Sequence, residues 1–396
     1  MKRKIILYPN TFLWVQFDKG LLYNTESFNA KEFNVNEAIK PVCDALLNYD
    51  NLYTVSIDRN TPEVEYLITL VEQGSFGRSI DIDSERVTSL PPLLNLQSSI
   101  ERIEKDPQLN IGENALTYLH TLTIYTGGVA NNMEYYKQII YPIKIDEVLN
   151  VNTVVNFIER GNSSYIHTIN IVISDIEHYD VVDLCEQLSS IKDKVILYVP
   201  LLTNDNQKSL ISNILSRGFK VRFICDSKFL IPASSLFEPY LPYSANVNFN
   251  LIVRSIEEYE RWTNLMEKLN VNNYSIVPVY EDNTEFFNEN VFLTREDILG
   301  SQLSKREIFA HQSLNTISFG QLTVMPDGLV YSNVNHQHIG KICDDITDII
   351  VNELKQNYSW RRIRDSARCS KCLFQWLCPS PSNYEIVMQK DCICSD

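Results

Sequence analysis

Five of the nine cysteines stand close together near the end of the chain, at Cys369, Cys372, Cys378, Cys392 and Cys394. The first two form a Cys-x2-Cys pair, a spacing that lets both sulfurs face one metal ion. In a reducing compartment such a cluster indicates metal or iron–sulfur ligation rather than disulfide bonds. Four thiolates suffice for one tetrahedral zinc ion or one iron–sulfur cluster. The sequence therefore predicts one metal centre here, and the spacing leaves zinc and an iron–sulfur cluster open as alternatives.

The remaining cysteines and the histidines give weaker signals. Cys343 could be an extra ligand, although burial in the core is the commoner fate of a single cysteine. Three cysteines lie in apolar stripes and are predicted to pack in the core: Cys43, Cys185 and Cys225. His336 and His338 follow a predicted hairpin and could approach a metal, but solvated loop positions are more common.

Three further features could bind or react with a ligand. Gly127-Gly128 ends a predicted strand and could cradle a phosphate or carboxylate, but a lone Gly-Gly is weak evidence. Asp175 follows another strand, where catalytic residues of barrels lie, although any barrel offers several such acids. The basic run from Arg361 to Lys371 could meet an acidic peptide or partner, or be a solvated helix end.

The composition bounds the class of protein. The chain has 396 residues, 44% of them hydrophobic and 21% charged, which predicts a folded chain of about two or three domains. Thirty-five basic against 50 acidic side chains give a net charge of −15, which argues against sequence-independent nucleic-acid binding. No apolar run reaches the roughly 18 residues of a membrane span, and the start does not have the pattern of a secretory signal. We expect a cytoplasmic protein with no nucleic-acid or membrane partner.

The first 90 residues predict a small α+β module. Strand-forming runs over 5–17, broken at Pro9, and over 20–25 flank a turn and indicate a hairpin. A helical stripe follows around 39–46, and a second helix is capped by Thr61 and ended by Gly74. A hairpin with short helices is the pattern of a winged-helix module.

Strand-like apolar runs alternate with helical patterns from 91 to about 300. Six runs are predicted as strands, at 121–125, 168–174, 195–200, 221–225, 247–253 and 274–279. The helical patterns lie at 151–160, 181–191, 207–217 and 255–269, the last with an expected capping box between Ser255 and Glu258. Such alternation indicates a parallel sheet or a barrel, and six strands would make a partial barrel. A hairpin around Gly328 and a helix over 346–356 are expected next.

Two stretches resemble a known family. The layout Pro326-Asp327-Gly328-Leu329-Val330-Tyr331, then His338-Ile339-Gly340, then Cys369-x2-Cys372-x5-Cys378 resembles the SPASM extension of radical S-adenosylmethionine (SAM) peptide maturases. The run from Cys378 to Glu385 and Leu22-Tyr23-Asn24-Thr25 are similar to the pseudo-radical-SAM (pseudo-rSAM) proteins of the GG-Bacteroidales peptide-maturation systems. The resemblance implies a winged-helix-like precursor-recognition module over 1–90, a degenerate partial (β/α)6 radical-SAM-like barrel over 91–300 and a SPASM-like metal-binding extension over 301–396.

The chain departs from the catalytic members of that family in one decisive place. Radical SAM enzymes hold a cluster with Cys-x3-Cys-x2-Cys just after the first barrel strand. Here Val129, Met133 and Tyr136 stand at those positions in one register, and no cysteine occurs between Cys43 and Cys185. The resemblance therefore implies no radical SAM chemistry, no bound SAM and no catalytic residues of that kind.

The extension is also incomplete. Asn333 and Ser382 stand where the family pattern has cysteines, so one metal centre is expected rather than two. We predict a non-catalytic accessory protein that binds a precursor peptide, a true radical SAM maturase, or both. One alternative is a redox partner whose iron–sulfur cluster relays electrons to the maturase. A second alternative is a stand-alone peptide-binding protein with structural zinc.

Overall fold

The computed structural model describes residues 3–57, 61–81, 89–92, 112–128, 133–201 and 205–394. Within these ranges the chain is a mixed α/β protein with one nine-stranded, mostly parallel sheet. Two three-stranded antiparallel sheets and one two-stranded ribbon complete the strand inventory of the described ranges. In the same ranges, no helix has both the length and the apolar character needed to cross a membrane.

The N-terminal part contains both three-stranded sheets and two helices. The first sheet has the order β5-β1-β6, with β1 (Arg3–Leu7), β5 (Thr54–Ile57) and β6 (Gly77–Asp81). The second has the order β2-β3-β4, with β2 (Thr11–Gln16), β3 (Lys19–Asn24) and β4 (Ala30–Asn34). The helices are α1 (Lys40–Leu47) and α2 (Pro62–Gln73).

Local chemistry explains most of these elements. The Thr61 hydroxyl accepts a hydrogen bond from the Val64 N–H, and Pro62 occupies the first turn of α2, where its missing N–H costs nothing. The predicted hairpin and both helices are therefore confirmed. The strand expected from residue 51 begins only at Thr54, because Leu52 and Tyr53 adopt left-handed backbone angles after a short 3-10 turn.

The large sheet has the order β14-β13-β12-β11-β10-β7-β15-β16-β17. All six predicted strands are present as parallel neighbours in chain order: β7 (Thr121–Tyr125), β10 (Thr168–Val172), β11 (Val195–Pro200), β12 (Lys220–Asp226), β13 (Val247–Val253) and β14 (Tyr274–Pro278). The ribbon pairs β8 (Gly127–Gly128) with β9 (Ile145–Val148). Parallel neighbours that follow one another along the chain are what successive strand–helix units produce.

Helices follow the strands as expected. They are α3 (Val151–Gly161), α4 (Val181–Gln187), α5 (Asp205–Ser216), α6 (Ser234–Phe237), α7 (Ile256–Lys268), α8 (Thr284–Asn290), α9 (Arg295–Gly300) and α10 (Lys305–His311). Alternate strand residues such as Ile169 and Ile171 of β10 bury one face of the sheet in a continuous apolar core. The opposite face carries polar residues, among them Asn170 and Asn250.

Two helix predictions need correction. The helix expected over 181–191 ends at Gln187 and continues only as a 3-10 turn, Ser189–Lys194. The capping box of α7 is half formed: the Ser255 hydroxyl accepts from the Glu258 N–H, but the Glu258 carboxylate accepts from the backbone N–H of Arg254 instead of that of Ser255. The Glu258 carboxylate is held by other partners, because it accepts from the Ser227 hydroxyl and forms an ion pair with the Arg254 guanidinium.

The C-terminal part extends the large sheet. Strand β15 (Gln321–Val324) pairs in parallel with β7, and a Pro326-Asp327-Gly328 turn leads to β16 (Leu329–Tyr331), as predicted. Gly328 has a φ of 79°, which a side chain would strain. The remaining elements are β17 (Gly340–Lys341), α11 (Ile346–Gln356) and α12 (Asn383–Val387). Phe12, Leu21 and Tyr23 of the N-terminal part pack against this extension.

Candidate functional site

All five C-terminal cysteines line one cavity of about 260 Å³. A 3-10 turn, Cys369–Lys371, precedes Cys372, and the last described residues bring Cys392 and Cys394 to the same place. That last segment is held by a hydrogen bond of 2.9 Å from the Leu293 N–H to the Ile393 carbonyl. Residues more than 20 positions apart in sequence therefore meet, as a shared metal centre requires.

The sulfur contacts within this cysteine cavity are close. The Sγ atoms of Cys392 and Cys394 lie 3.3 Å apart, and the Phe374 N–H donates to the Cys372 Sγ over 3.4 Å. Arg364 and Arg368 also line the cavity. A backbone N–H and nearby guanidinium groups favour the thiolate form that binds metals.

Burial works in the opposite direction in the absence of a metal. It raises the pKa of the Cys378 thiol to about 12, although Arg364 lowers it. It also raises the pKa of Cys372. A metal ion that binds these thiols would therefore have to displace their protons, and its affinity would rise with pH.

The donor set fits zinc or a single iron–sulfur cluster, because both prefer thiolate ligands. Among the described residues, however, no group of three or more His, Cys, Asp or Glu side chains is arranged to hold a metal ion. The structure thus gathers the five predicted ligands around one cavity without a formed coordination sphere.

The other four cysteines lie elsewhere. Cys43, Cys185 and Cys225 are buried in apolar cores, as predicted, and burial raises the pKa of each. Cys343, considered above as a possible extra ligand, is exposed in the loop between β17 and α11. It does not line the cysteine cavity.

The carboxyl ends of the parallel strands form a second region of interest. Tyr125, Val172, Tyr198, Ile224 and Ile252 meet there in one cluster. The segment after β8 covers them, contributing Tyr135, Tyr141 and Ile143 as buried members of the same cluster. Of the three positions that replace the radical SAM cysteines, Met133 and Tyr136 pack against this cluster, and Val129 lies outside the described residues.

A charged network lies beside this aromatic cluster. Arg254 donates to Asp226 Oδ2 over 2.6 Å and to the Tyr135 hydroxyl over 3.1 Å. The Tyr141 hydroxyl donates to the same Asp226 oxygen over 2.8 Å. Glu281 accepts from Tyr135 over 2.7 Å and pairs with Lys228. These groups tie the covering segment to the ends of three strands.

The pKa shifts follow from these contacts. Burial of Arg254 disfavours its charge, but the hydrogen bond and charge of Asp226 outweigh burial and raise its pKa. Burial likewise opposes ionisation of Glu281, yet Lys228 and Tyr135 lower the pKa of that carboxyl. Both groups are therefore held in their charged forms.

Sequence reasoning missed this network. Asp226 and Arg254 each come directly after a predicted strand run, and Glu281 follows the last one closely. Charged residues just beyond parallel strands share one edge of the sheet. That pattern could have identified the cluster, although not its pairing.

Gly127, Gly128 and Asp175 line a cavity of about 310 Å³ together with Asp146 and His178. Asp175 accepts from the Glu177 and His178 N–H groups, and its Oδ2 lies 2.8 Å from the Nδ1 of His178. Two carboxylates at this cavity argue against the phosphate or carboxylate ligand that Gly-Gly could have cradled. A side chain at Gly127 would also meet the Glu147 carbonyl, which explains the glycine.

The basic run from Arg361 to Lys371 is not a solvated helix end. Arg364 is buried and forms an ion pair of 2.7 Å with the buried Glu385. Arg362 is half-buried and lines a separate polar cavity of about 220 Å³, together with Asn333 and Ser382. His336 is half-buried near Arg362, whereas His338 is exposed. Neither histidine lines the cysteine cavity.

Comparisons with known proteins give only distant similarities. No family model and no curated protein matches the chain. Streptococcus suis SuiB bound to precursor peptide SuiA is similar at 11% identity and a TM-score of 0.45, with 99% of both chains covered. SuiB bound to S-adenosylmethionine gives 11% and 0.42 over the same share of both chains. Native anSMEcpe with bound AdoMet and Cp18Cys peptide gives 13% and 0.41, over 65% of this chain and 87% of that chain. These values carry no argument about function.

Proposed function

We propose that the chain is a non-catalytic accessory protein of ribosomal-peptide maturation. It binds a precursor peptide, a radical SAM maturase, or both, and it does not itself cleave SAM. The proposal starts from the sequence resemblance to pseudo-radical-SAM proteins, in which the three-cysteine motif is lost. The Arg254–Asp226 pair and the aromatic cluster beside it are the structural observation that supports it most strongly.

The reason lies in where α/β sheets bind their ligands. Substrates and cofactors occupy the carboxyl ends of the parallel strands. In this chain Tyr135 and Tyr141 occupy that position and are hydrogen-bonded to Glu281 and Asp226. Opening this region would break a nearly buried ion pair, which is costly. Such a region supports a scaffold more readily than an active site.

A peptide-binding surface is available in the N-terminal part. Strand β4 is the last strand of its sheet, so one of its edges is unpaired among the described residues. On either side of β4, the Asn29 carbonyl accepts from the Asn24 N–H of β3, and the Val35 N–H donates to Asp18 just before β3. Because bonded and unbonded residues alternate along an antiparallel pair, the N–H and C=O groups of Ala30, Glu32 and Asn34 face the free edge. A groove of about 570 Å³ runs beside it, lined by Tyr66 of α2 among other residues. An extended peptide can add to such an edge as a further strand.

The cysteine cavity has a structural part in this proposal. One zinc ion or one iron–sulfur cluster there would join the last residues to the turn around Cys369 and to Leu293. A bound centre of this kind would add its binding free energy to the stability of the folded extension. In the alternative, an iron–sulfur cluster at the same cysteines relays electrons to the maturase.

Co-purification tests the proposal. The tagged chain is expressed with each radical SAM maturase and each candidate precursor peptide of its source organism, and the purified material is analysed by size-exclusion chromatography and mass spectrometry. We expect at least one of the two to co-elute with the chain in a stable ratio. If both elute separately from the folded chain at micromolar concentration, the accessory role is wrong.

A further inference from the structure

A polar cavity of about 220 Å³ lies where β7 and β15 meet the C-terminal extension. Thr123 and Thr323 line it with hydroxyl groups from the two strands, and Asn333 and Asn383 line it with side-chain amides from the extension. Among the described residues that line it, Arg362 is charged and no aspartate or glutamate is present. The chain as a whole carries a net charge of −15, so this cavity differs in sign from the average of the chain.

The guanidinium of Arg362 has no hydrogen-bond acceptor among the described protein groups. It is half-buried, and no described residue accepts a hydrogen bond from its side chain. Burial lowers its pKa, and Glu385 offsets this only in part. The neighbouring Arg364 differs, because it pairs directly with Glu385. A partly desolvated guanidinium without a bound acceptor favours an anionic ligand.

The nearby carboxylates are engaged elsewhere. Glu385 accepts from Arg364 over 2.7 Å and also from the Ser382 N–H. Glu353 is fully buried and accepts from the Ser359 and Trp360 N–H groups, both over 2.8 Å, and from the Ser332 hydroxyl over 2.6 Å. Neither carboxylate lines the cavity, so neither takes the place of an external anion.

The walls of the cavity are fixed in place. Asn315 donates to the carbonyl oxygens of Arg362 over 3.0 Å and Pro381 over 2.8 Å, which joins two of the segments. Asn333 donates to Asn383 over 2.7 Å. The imidazole of His336 lies near Arg362. Burial is the larger cause that lowers the pKa of His336, and the charge of Arg362 lowers it further. The polar groups are thus arranged before any ligand arrives.

We infer that this cavity is an oxyanion-binding site in which Arg362, with the threonine hydroxyls and asparagine amides around it, holds a carboxylate or a phosphate group. A guanidinium can form two parallel hydrogen bonds to either group. The volume admits a small anion or one acidic side chain and is below that of ordinary drug-sized pockets. The inference does not depend on the proposed function, since the isolated protein is enough to test it.

The test measures binding of inorganic phosphate and of acetate to the isolated full-length chain by NMR. The reporter is the imidazole of His336, whose pKa a bound anion raises. Binding of phosphate alone indicates a free phosphate ligand, and binding of acetate indicates a carboxylate. A short peptide with a free C-terminal carboxylate, compared with its C-terminal amide, then separates a chain terminus from an acidic side chain.

Three variants make the test specific. Arg362→Gln is expected to weaken binding at least about tenfold, because charge-assisted hydrogen bonds are lost. Asn333→Asp is expected to abolish binding, because a carboxylate inside the cavity then satisfies Arg362. Arg306→Gln makes the same change in net charge at an exposed site and is expected to leave binding unchanged.

Three results overturn the inference. One is that neither anion perturbs His336 at millimolar concentration in the folded wild-type chain. Another is that Arg362→Gln, shown to be folded by circular dichroism, binds as tightly as Arg306→Gln. Anion binding with equal affinity in all three variants would indicate a different site and also contradicts it.

Discussion

Asp226 and Arg254 form a nearly buried ion pair, with 2.6 Å between Oδ2 and Nη2, at the ends of two adjacent parallel strands. Asp226 is the last residue of β12, and Arg254 directly follows β13. The pair also holds Tyr141 and Tyr135 through hydrogen bonds. This one charged pair therefore holds the segment that covers the end of the sheet. We expect loss of the pair to lower the free energy of unfolding.

We predict that Asp226→Asn lowers the free energy of unfolding by about 3 kcal/mol, because it leaves a nearly buried guanidinium without its closest partner. Glu281 and Glu258 lie 3.3 Å and 3.5 Å from Arg254 and limit the loss. Urea unfolding measures the change. Glu186→Gln, which breaks a surface pair with Arg217, is the matched control and should cost about 1 kcal/mol or less. If both variants lowered the free energy of unfolding equally, the buried pair would contribute no more to stability than the surface pair.

A second prediction concerns His311, which is buried on α10 with its Nδ1 3.1 Å from the Trp376 carbonyl. Burial lowers its pKa below the unfolded value of about 6.5, and Arg364 adds to this, while the Trp376 carbonyl and Glu307 oppose it. The unfolded chain therefore takes up the proton first as pH falls. The stability that neutral His311 allows is complete above about pH 6.5 and is lost below it.

The measurement is the free energy of unfolding between pH 7.5 and about 5.5 for the wild type and for His311→Asn. Asparagine can still donate to the Trp376 carbonyl but does not titrate in this range. We expect the wild type to lose more stability than the variant over this interval. Parallel pH profiles would mean that His311 does not contribute.

The metal centre leads to a third prediction. Chain purified without oxygen should carry one metal centre, and Cys369→Ser or Cys378→Ser should lose most of it, because both residues line the common cavity. Cys343→Ser is the matched control, since that exposed cysteine lies outside the cavity. Elemental analysis and an absorbance scan separate the alternatives. Zinc supports a structural centre, iron with sulfide and a broad visible band supports electron relay, and the lack of both rejects the centre.

The free edge of β4 gives a fourth prediction. Glu32→Pro removes an N–H that faces the open edge without removing a bond to β3, so it should weaken binding of the precursor peptide by about tenfold. Glu32→Gln keeps that N–H while it removes the ion pair with Arg295, and is therefore the control. Fluorescence anisotropy with labelled precursor measures both. Equal affinities would place the peptide elsewhere.

Point variants are preferable to removal of residues 1–90. Phe12 packs against Phe309 with ring centroids 5.4 Å apart, and the Tyr23 hydroxyl accepts from the Leu303 N–H over 2.8 Å. Deletion would expose these apolar surfaces of the extension to water. A loss of binding after deletion would then report misfolding as well as the loss of a recognition module.

The strands and helices were largely predictable because their signals are local. The run at 121–125 is rich in β-branched and apolar residues, which favour a strand. Thr61 is a typical N-cap residue, and Pro62 is typical of the first turn of a helix, so the start of α2 was predictable. Of the candidate sites, only the five cysteines could be predicted, because they lie close together in the sequence. Arg362, Asn333 and Ser382 come from separate stretches, and only packing of the extension on β7 and β15 brings them together. The same holds for Tyr135 and Glu281, which are 146 positions apart.

The most direct test of the account is an assay for cleavage of SAM. The chain is reconstituted without oxygen with iron and sulfide, given SAM and a strong reductant, and analysed for 5′-deoxyadenosine by liquid chromatography with mass spectrometry. We expect no 5′-deoxyadenosine above the protein-free control, because the cysteines that would hold a SAM-binding cluster are missing from the sequence. Formation of 5′-deoxyadenosine by this chain alone, in proportion to its concentration, would contradict it.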